Sequence, residues 1–262
     1  MKRSGLFVLF VLLSAGWAGD APPQPGTDPS FAAHIATTYD VGDAFAASGH
    51  RVYVAEDDGG WIEVRSVQDP ARPIVGFRTG YDRGDDIAVD GRYLYVAEDD
   101  GGRIDVHDLE QGGRLVDTFT TSFDRGDALA AALNLVFVVE DDGGWVEVYA
   151  RGPGGWGAVV GLRFRTSYER GDDVAAANVA FLVAKHDGGL IEVTRARIGE
   201  NNKIAGWQPK GHFGRTTFDR GDGFGAYVLQ GRDRVDLVLC VAEDDGGTVE
   251  CTTRDYSSWL RF

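Results

Sequence analysis

The chain is short of positive charge and of long apolar segments. Its 262 residues carry 26 lysines and arginines against 41 aspartates and glutamates, a formal net charge of −15. Because that charge repels phosphate backbones and anionic lipid, nucleic acid is not an expected partner and a cationic one is favoured. Beyond residue 18 no apolar run approaches the roughly 20 residues of a spanning helix, so membrane insertion of the mature chain is not expected.

Several signatures of enzymatic chemistry are also missing. The sequence contains no Gly-x-Ser-x-Gly elbow, no phosphate-binding loop and no zinc signature, and its five histidines show no metal-ligand spacing. No catalytic residue can therefore be assigned from a motif.

The first 30 residues read as targeting and linker sequence. Lys2 and Arg3 precede an apolar run from Leu6 to Leu13 and then small residues, which predicts a secretory signal peptide over residues 1–18. Residues 19–30 contain four prolines and read as an extended linker. We expect an exported protein, in the periplasm, outside the cell or at its surface.

Glycine, in contrast, is abundant, at 37 residues, and it recurs in a repeat. The segment YDVGDAFAASGHRVYVAEDDGGWIEV is followed by four further copies of the same pattern. The copies begin at Tyr39, Tyr81, Phe123, Tyr168 and Phe218.

Each copy predicts β-structure. Runs such as VYVAE and WIEV are rich in β-branched and aromatic residues, and the Asp-Asp-Gly-Gly between them supplies the positive-φ positions of a tight hairpin. Four strands per repeat of about 42 residues is the size of a propeller blade, so residues 31–262 are predicted to form an all-β, five-bladed β-propeller of four-stranded antiparallel blades. Residues 31–38 are predicted to complete the fifth blade; residues 257–262 compete for that place.

The hairpin register also predicts a disulfide. A turn centred between Asp245 and Gly246 places Cys240 directly opposite Cys251. Two buried thiols are the alternative, but export favours the disulfide.

The segment VYVAEDDGGWIEVRSVQDPARPIVG resembles the LVIVD-repeat propellers, whose blades combine a Tyr-Val-Ala-Asp strand, a Gly-Gly turn, an apolar strand and an Asp-Pro pair. A weaker likeness is to YVTN-type surface propellers. The resemblance covers about residues 28–256 and implies an exported or surface propeller, usually without an assigned reaction. It transfers no catalytic residue. Asp-Pro itself occurs cleanly only at Asp69-Pro70, with a leading remnant at Asp28-Pro29.

One aspartate follows the glycine of each link and opens an innermost strand. Five such carboxylates could ring one mouth of the central channel, and converging hard oxygens suit Ca²⁺. The alternative is that each aspartate caps its own loop, with nearby arginines neutralising neighbouring carboxylates. The candidate metal ligands are Asp43, Asp85, Asp127, Asp172 and Asp222.

Two further sets are candidate ligand-binding residues. Trp61 and Trp145 follow the Gly-Gly turn, where a sugar could stack, although other residue types occupy that place elsewhere. Lys185 and His186 replace Glu-Asp in the fourth copy alone, and broken symmetry can mark a single site; drift on an exposed turn is the alternative.

These observations favour a non-catalytic, exported propeller that binds a protein or cell-surface partner, with Ca²⁺ on its acidic face and no other cofactor. A metal-assisted hydrolase of lactonase or glycosidase type at the channel mouth is the alternative, and a lectin is a third. A hydrolase needs two carboxylates in unlike environments, whereas the repeat offers five similar ones. The Arg-Gly-Asp tripeptides, which occur four times, lie in short links that present them poorly for cell adhesion.

Overall fold

The computed structural model describes residues 32–159, 162–199, 203–230 and 235–257. The predicted signal peptide and linker lie outside the described residues. Within them, β-strands assemble into five antiparallel sheets, as the alternating apolar pattern and the glycine turns predict.

The first strand of the described residues is β1 (Ala32–Ala36), which belongs to the last sheet. Blade 1 contains β2 (Ala44–Ser48), β3 (Arg51–Glu56), β4 (Trp61–Ser66) and β5 (Pro73–Arg78). Blade 2 contains β6 (Asp86–Asp90), β7 (Tyr93–Ala97), β8 (Arg103–Asp108) and β9 (Arg114–Thr120), with a 3-10 turn at Leu109–Gln111. Blade 3 contains β10 (Ala128–Ala132), β11 (Leu135–Val139) and β12 (Trp145–Gly152), whose outer neighbours are β13 (Gly155–Ala158) and β14 (Phe164–Arg165). Blade 4 contains β15 (Asp173–Ala177), β16 (Ala180–Ala184), β17 (Leu190–Ile198) and β18 (Ile204–Arg215), and blade 5 contains β19 (Gly223–Gln230), β20 (Val235–Glu243), β21 (Thr248–Asp255) and β1.

The innermost strands of the five blades close into a ring. Each of β2, β6, β10, β15 and β19 contacts its two neighbours, and β19 contacts β2. The molecule is therefore a five-bladed β-propeller, as the repeat predicts. Alanine-rich strands line the centre, where a cavity of only about 20 Å³ remains, room for about one water molecule.

The outer strand of blade 5 comes from the other end of the chain. β1 pairs antiparallel with β21, with Ala33 opposite Cys251 and Ile35 opposite Val249. The prediction that residues 31–38 complete the fifth blade is confirmed for β1. The start of the competing tail bonds elsewhere, because Ser257 accepts a hydrogen bond from the backbone N–H of Val235; residues 258–262 lie outside the described part of the chain.

The predicted disulfide is confirmed. Cys240 in β20 lies directly opposite Cys251 in β21, and the two buried cysteines are bonded with their Cα atoms 4.1 Å apart. The covalent link therefore joins the two middle strands of the blade that closes the ring.

Candidate functional site on the acidic face

The Asp-Asp-Gly-Gly turns and the links between blades meet on one face of the propeller. The second glycine of the first turn, Gly60, has a φ of 62°, and its carbonyl accepts a hydrogen bond of 2.8 Å from the N–H of Thr79 in the next link. A Cβ at Gly60 would lie 2.5 Å from the carbonyl oxygen of Thr79, so only glycine fits. Each hairpin is thereby docked against the link that follows it. The equivalent glycines are Gly102, Gly144, Gly189 and Gly247.

The five candidate metal ligands all act as caps within their own blades. In blade 1, Asp43 Oδ1 accepts a 2.8 Å bond from the N–H of Asp57 in the hairpin, and Oδ2 accepts a 3.1 Å bond from the N–H of Asp40 in the link. The same two bonds are made by Asp85, Asp127, Asp172 and Asp222. One carboxylate thus joins each hairpin to its link by hydrogen bonds. Because both carboxylate oxygens accept backbone bonds, the aspartate of each Arg-Gly-Asp tripeptide is already occupied within its own blade.

The caps group acidic residues blade by blade. Carboxylate oxygens of Asp40, Asp43 and Asp57 lie within 4.8 Å of one another, and two further blades form the same trio. These further trios are Asp82, Asp85 and Asp99, and Asp124, Asp127 and Asp141. Such a trio offers hard oxygen ligands to a cation. Binding of Ca²⁺ by the five aspartates stays a prediction, and the geometry indicates separate groups within blades.

Burial shifts the protonation of four of these caps. It raises the pKa of Asp43, Asp85, Asp127 and Asp222 to about 6 each, and neighbouring carboxylates of the same blade add to the rise while the backbone N–H bonds oppose it. These carboxyl groups therefore titrate between the acidic and neutral range.

Blade 4 differs at this point because Lys185 and His186 both bond to Asp172. The Lys185 Nζ and His186 Nδ1 atoms each reach a carboxylate oxygen of Asp172, the latter at 2.7 Å. Burial acts to raise the pKa of Asp172 too, but these hydrogen bonds outweigh it and hold the pKa below its usual value. The structure therefore joins two predicted ligand-binding residues to a predicted metal ligand in one internal cluster.

The two candidate sugar-stacking tryptophans occupy corresponding positions in blades 1 and 3. Trp61 is 38% exposed and packs over Gly76, where a Cβ would overlap its indole ring. Trp145 is 39% exposed, and the guanidinium of Arg163 lies 4.6 Å from its ring centre. Each ring thus already has a partner from the outer part of its blade; sugar binding by either one remains a prediction.

Ten exposed carboxylates surround the caps and define what we call the acidic face. Each link contributes one acidic residue and each hairpin contributes its second acidic position. They are Asp40, Asp82, Asp124, Glu169 and Asp219 in the links, and Asp58, Asp100, Asp142, Asp187 and Asp245 in the hairpins. Four link arginines oppose them, and Arg83 lies 4.0 Å from a carboxylate oxygen of Asp57.

Two half-buried aspartates have a role that the sequence did not predict. Asp86 and Asp173 open the innermost strands of blades 2 and 4, and each accepts a 2.6 Å bond from a backbone N–H of the next blade, at Leu129 and Phe224 respectively. Burial raises the pKa of both. The available signal was the second aspartate of Arg-Gly-Asp-Asp, which the other blades replace with alanine or glycine. Both aspartates therefore form hydrogen bonds between neighbouring blades.

No family model and no curated protein matches the chain. Among solved structures, the glutaminyl cyclase of Myxococcus xanthus is similar with a TM-score of 0.54 and 12% identity, over 86% of this chain and 97% of that one. A functionally unknown protein from Desulfotomaculum acetoxidans DSM 771 has a TM-score of 0.45 and 14% identity, over 82% of this chain and 69% of that one. Hsv2p of Kluyveromyces lactis has a TM-score of 0.42 and 13% identity, over 66% of this chain and 61% of that one. The first likeness shows the fold alone. Membership of the LVIVD-repeat family stays a prediction.

Proposed function

We propose that this chain is an exported, non-catalytic propeller that binds a cationic protein or cell-surface partner through its acidic face. The observation that carries the proposal is the repeated display of ten exposed carboxylates against four link arginines. An array of one sign raises the local concentration of oppositely charged partners and speeds their association.

The rigidity of this face supports the proposal. Every hairpin is held to its link by a capping aspartate, and the second glycine of each turn docks on the following link. A face fixed in this way loses little conformational entropy when a partner binds, which favours affinity.

The centre of the propeller supports a binding role over a catalytic one. The channel cavity of about 20 Å³ is far smaller than the roughly 300–1,000 Å³ of pockets for drug-sized ligands. Four of the five capping aspartates share one environment and one pKa of about 6, so these four do not supply the unlike pair that hydrolysis by paired carboxylates needs.

Export is supported by the disulfide and by the resemblance to exported propellers. The Cys240–Cys251 disulfide is typical of oxidising compartments outside the cytosol. Among the described residues no helix has the length and apolar character required to cross a membrane. The resemblance to LVIVD-repeat propellers points to the same location.

The proposal is tested with a decalysine peptide as the cationic probe. The triple variant Asp58→Asn, Asp100→Asn, Asp142→Asn removes three hairpin charges from the acidic face. The control, Asp69→Asn, Glu110→Gln, Asp255→Asn, removes three exposed charges from the opposite face. We expect the affinity for decalysine, measured by calorimetry at low salt, to fall about tenfold in the first variant and little in the second. Equal losses in both would overturn the proposal, since they would show only an effect of net charge.

Bound Ca²⁺ is the finer part of the proposal. A cation held only by the folded chain must raise its stability, by about 2.7 kcal/mol at a concentration 100 times its Kd. The thermal midpoint is therefore compared in chelator and in millimolar Ca²⁺, for the wild type and for Asp57→Asn, which weakens one trio. An unchanged midpoint in the wild type would remove Ca²⁺ from the proposal without affecting the decalysine result.

A further inference from the structure

A second candidate site lies at the junction between blades 4 and 5. A cavity of about 220 Å³ opens there, bordered by the end of β18, the link after it, β20 and β21. Its volume is about seven times that of one molecule of liquid water, and slightly less than that of pockets for drug-sized ligands. The cavity is therefore of a size that suits a small organic molecule.

The cavity forms where an aromatic ring is displaced from the place that it takes in blades 1, 2 and 3; the ring, that of Phe213, still packs against the apolar cluster of blades 4 and 5. In blades 1, 2 and 3 a phenylalanine of the outer strand lies directly opposite an apolar residue of the third strand: Phe77 opposite Ile62, Phe119 opposite Ile104 and Phe164 opposite Val146. In blade 4 the register shifts, so that Gly214 lies opposite Ile191 and His212 opposite Glu192. The phenylalanine between them, Phe213, is the extra residue of a β-bulge, and glycine occupies the place of the ring.

The residue on the facing blade is also small. The Phe77 ring packs 6.2 Å from His107, and the Phe119 ring 6.0 Å from Tyr149. The residue of β21 that corresponds to Tyr149 is Thr252, and Phe213 packs instead against Tyr256 beyond the end of that strand. Neither ring of the pair that fills the corresponding space at the other two junctions is in place here, which leaves the cavity open.

The lining combines an apolar floor, two arginines and the carboxylate of Glu250, which lies 3.2 Å from His34 Nδ1. Leu239 and Val241, each 3% exposed, form the floor, and the exposed Arg215 and Arg254 lie at the rim. No ion pair involves Arg254 in the part of the chain that the structure describes. Two arginines against one glutamate make this cavity locally cationic on a chain with a net charge of −15.

A hydroxyl group at this junction is also left available. In blades 1, 3 and 4 the hydroxyl that precedes the link aromatic, from Thr38, Ser122 or Ser167, donates to the mid-strand glutamate of the same blade. The corresponding pair in blade 5 is Thr217 and Glu250, both of which line the cavity, and within the described ranges they form no such bond. Thr217 can therefore donate its hydroxyl to a bound molecule.

We propose that this cavity binds a small organic carboxylate with an apolar body. The guanidinium groups of Arg215 and Arg254 bind the carboxylate, Thr217 donates to it, and the apolar body displaces water from Leu239 and Val241. The apolar floor discriminates against inorganic anions, and the arginines discriminate against neutral molecules of the same shape. This site is independent of the acidic face and lies in a single junction.

The probe for this site is 4-fluorobenzoate, followed by ¹⁹F NMR, with the neutral 4-fluorobenzamide as its isosteric control. Arg254→Gln removes one cation from the rim. Thr252→Tyr fills the cavity with the residue that blade 3 uses at Tyr149. Arg114→Gln, an exposed arginine of β9, is the matched control. Circular dichroism melts establish that each variant is folded.

We expect 4-fluorobenzoate to bind the wild type with a millimolar Kd, and the affinity to fall at least about fivefold in Arg254→Gln and in Thr252→Tyr but not in Arg114→Gln. 4-Fluorobenzamide is expected to bind at least about fivefold more weakly than the benzoate. The proposal is overturned if benzoate does not bind the wild type, if benzamide binds equally, or if both site variants retain full affinity. Should Thr252→Tyr fail to fold, Arg254→Gln decides, because its side chain is exposed.

Discussion

At the scale of single residues, the aspartate after each link glycine contributes chiefly to the fold. Its two oxygens satisfy one N–H of the hairpin and one of the link, and four of the five carboxyl groups have a pKa of about 6 because they are partly buried among other carboxylates. The aspartate recurs in every blade because every blade has the same two backbone N–H groups to satisfy.

Removing one cap tests this role. Asp127→Ala leaves the N–H groups of Asp124 and Asp141 without their acceptor, and we expect a loss of about 1–3 kcal/mol in the free energy of unfolding, measured with urea. Asp142→Ala changes an exposed carboxylate of the same turn and is expected to stay within about 0.5 kcal/mol of the wild type. A similar loss in both variants would contradict the capping role.

The raised pKa values predict how stability depends on pH. Each of the four carboxyl groups binds its proton more tightly in the folded chain than in the unfolded one, so its stabilising contribution is complete below about pH 4 and is lost as the pH rises through about 6. Asp172 acts in the opposite direction, since its lowered pKa makes stability fall on acidification. We expect the thermal midpoint, measured by circular dichroism, to be several degrees higher at pH 5 than at pH 8.

The control for this pH dependence is the double variant Asp43→Asn, Asp127→Asn, in which two of the titrating groups are absent. Its midpoint should change less between pH 8 and pH 5 than that of the wild type. A wild-type midpoint that falls steadily from pH 8 to pH 5 would show that the sign is wrong.

At the scale of elements, the hairpin between the second and third strands is the most constrained unit of the blade. Its register is set by the turn, which in blade 5 aligns Cys240 with Cys251 and permits a cross-strand disulfide. The same strand, β21, pairs with β1 to close the ring, so the covalent link lies next to the least local contact of the molecule.

The disulfide is expected to stabilise the protein by about 2–3 kcal/mol, because it closes a loop with a sequence separation of 11 in the unfolded chain. Urea unfolding of the oxidised chain, the reduced chain and the Cys240→Ala, Cys251→Ala variant measures this contribution. Comparing the two oxidation states separates loop closure from the packing that alanine also removes. Equal stability of the oxidised and reduced chains would contradict the expectation.

At the scale of the whole molecule, closure of the ring depends on a strand from the beginning of the chain. β1 covers the edge of β21, and Ile35 is fully buried in the core that blade 5 shares with blade 1. Without it the sheet of blade 5 exposes backbone donors and acceptors along one edge.

A chain that begins at residue 37 therefore tests ring closure. We expect a lower thermal midpoint and a concentration-dependent increase in size by gel filtration, since an uncovered edge pairs with other chains. A chain that begins at residue 31 retains β1 and should behave as the wild type. Addition of a peptide of residues 31–38 should restore the midpoint; a truncated chain as stable as its control would show that β1 is dispensable.

The features that the sequence predicted are those set by residues close to one another along the chain. Alternating apolar residues, the Asp-Asp-Gly-Gly turn and the fivefold recurrence determine the strands, their register within a hairpin and the number of blades, and the register in turn determines the Cys240–Cys251 pair. The sequence also predicted that β1 completes blade 5, but it left residues 257–262 as a competitor, and the observed pairing of β1 with β21 came from the structure.

The tertiary structure alone decided how distant groups meet. It showed that the carboxylates of Asp43 and its equivalents accept hydrogen bonds from backbone N–H groups of their own blades. It also showed that Asp86 and Asp173 accept hydrogen bonds from backbone N–H groups of the next blade. It also showed that a bulge at Phe213 opens a cavity at one junction. These outcomes depend on burial and on register between separate strands, which arise only when the blades pack together.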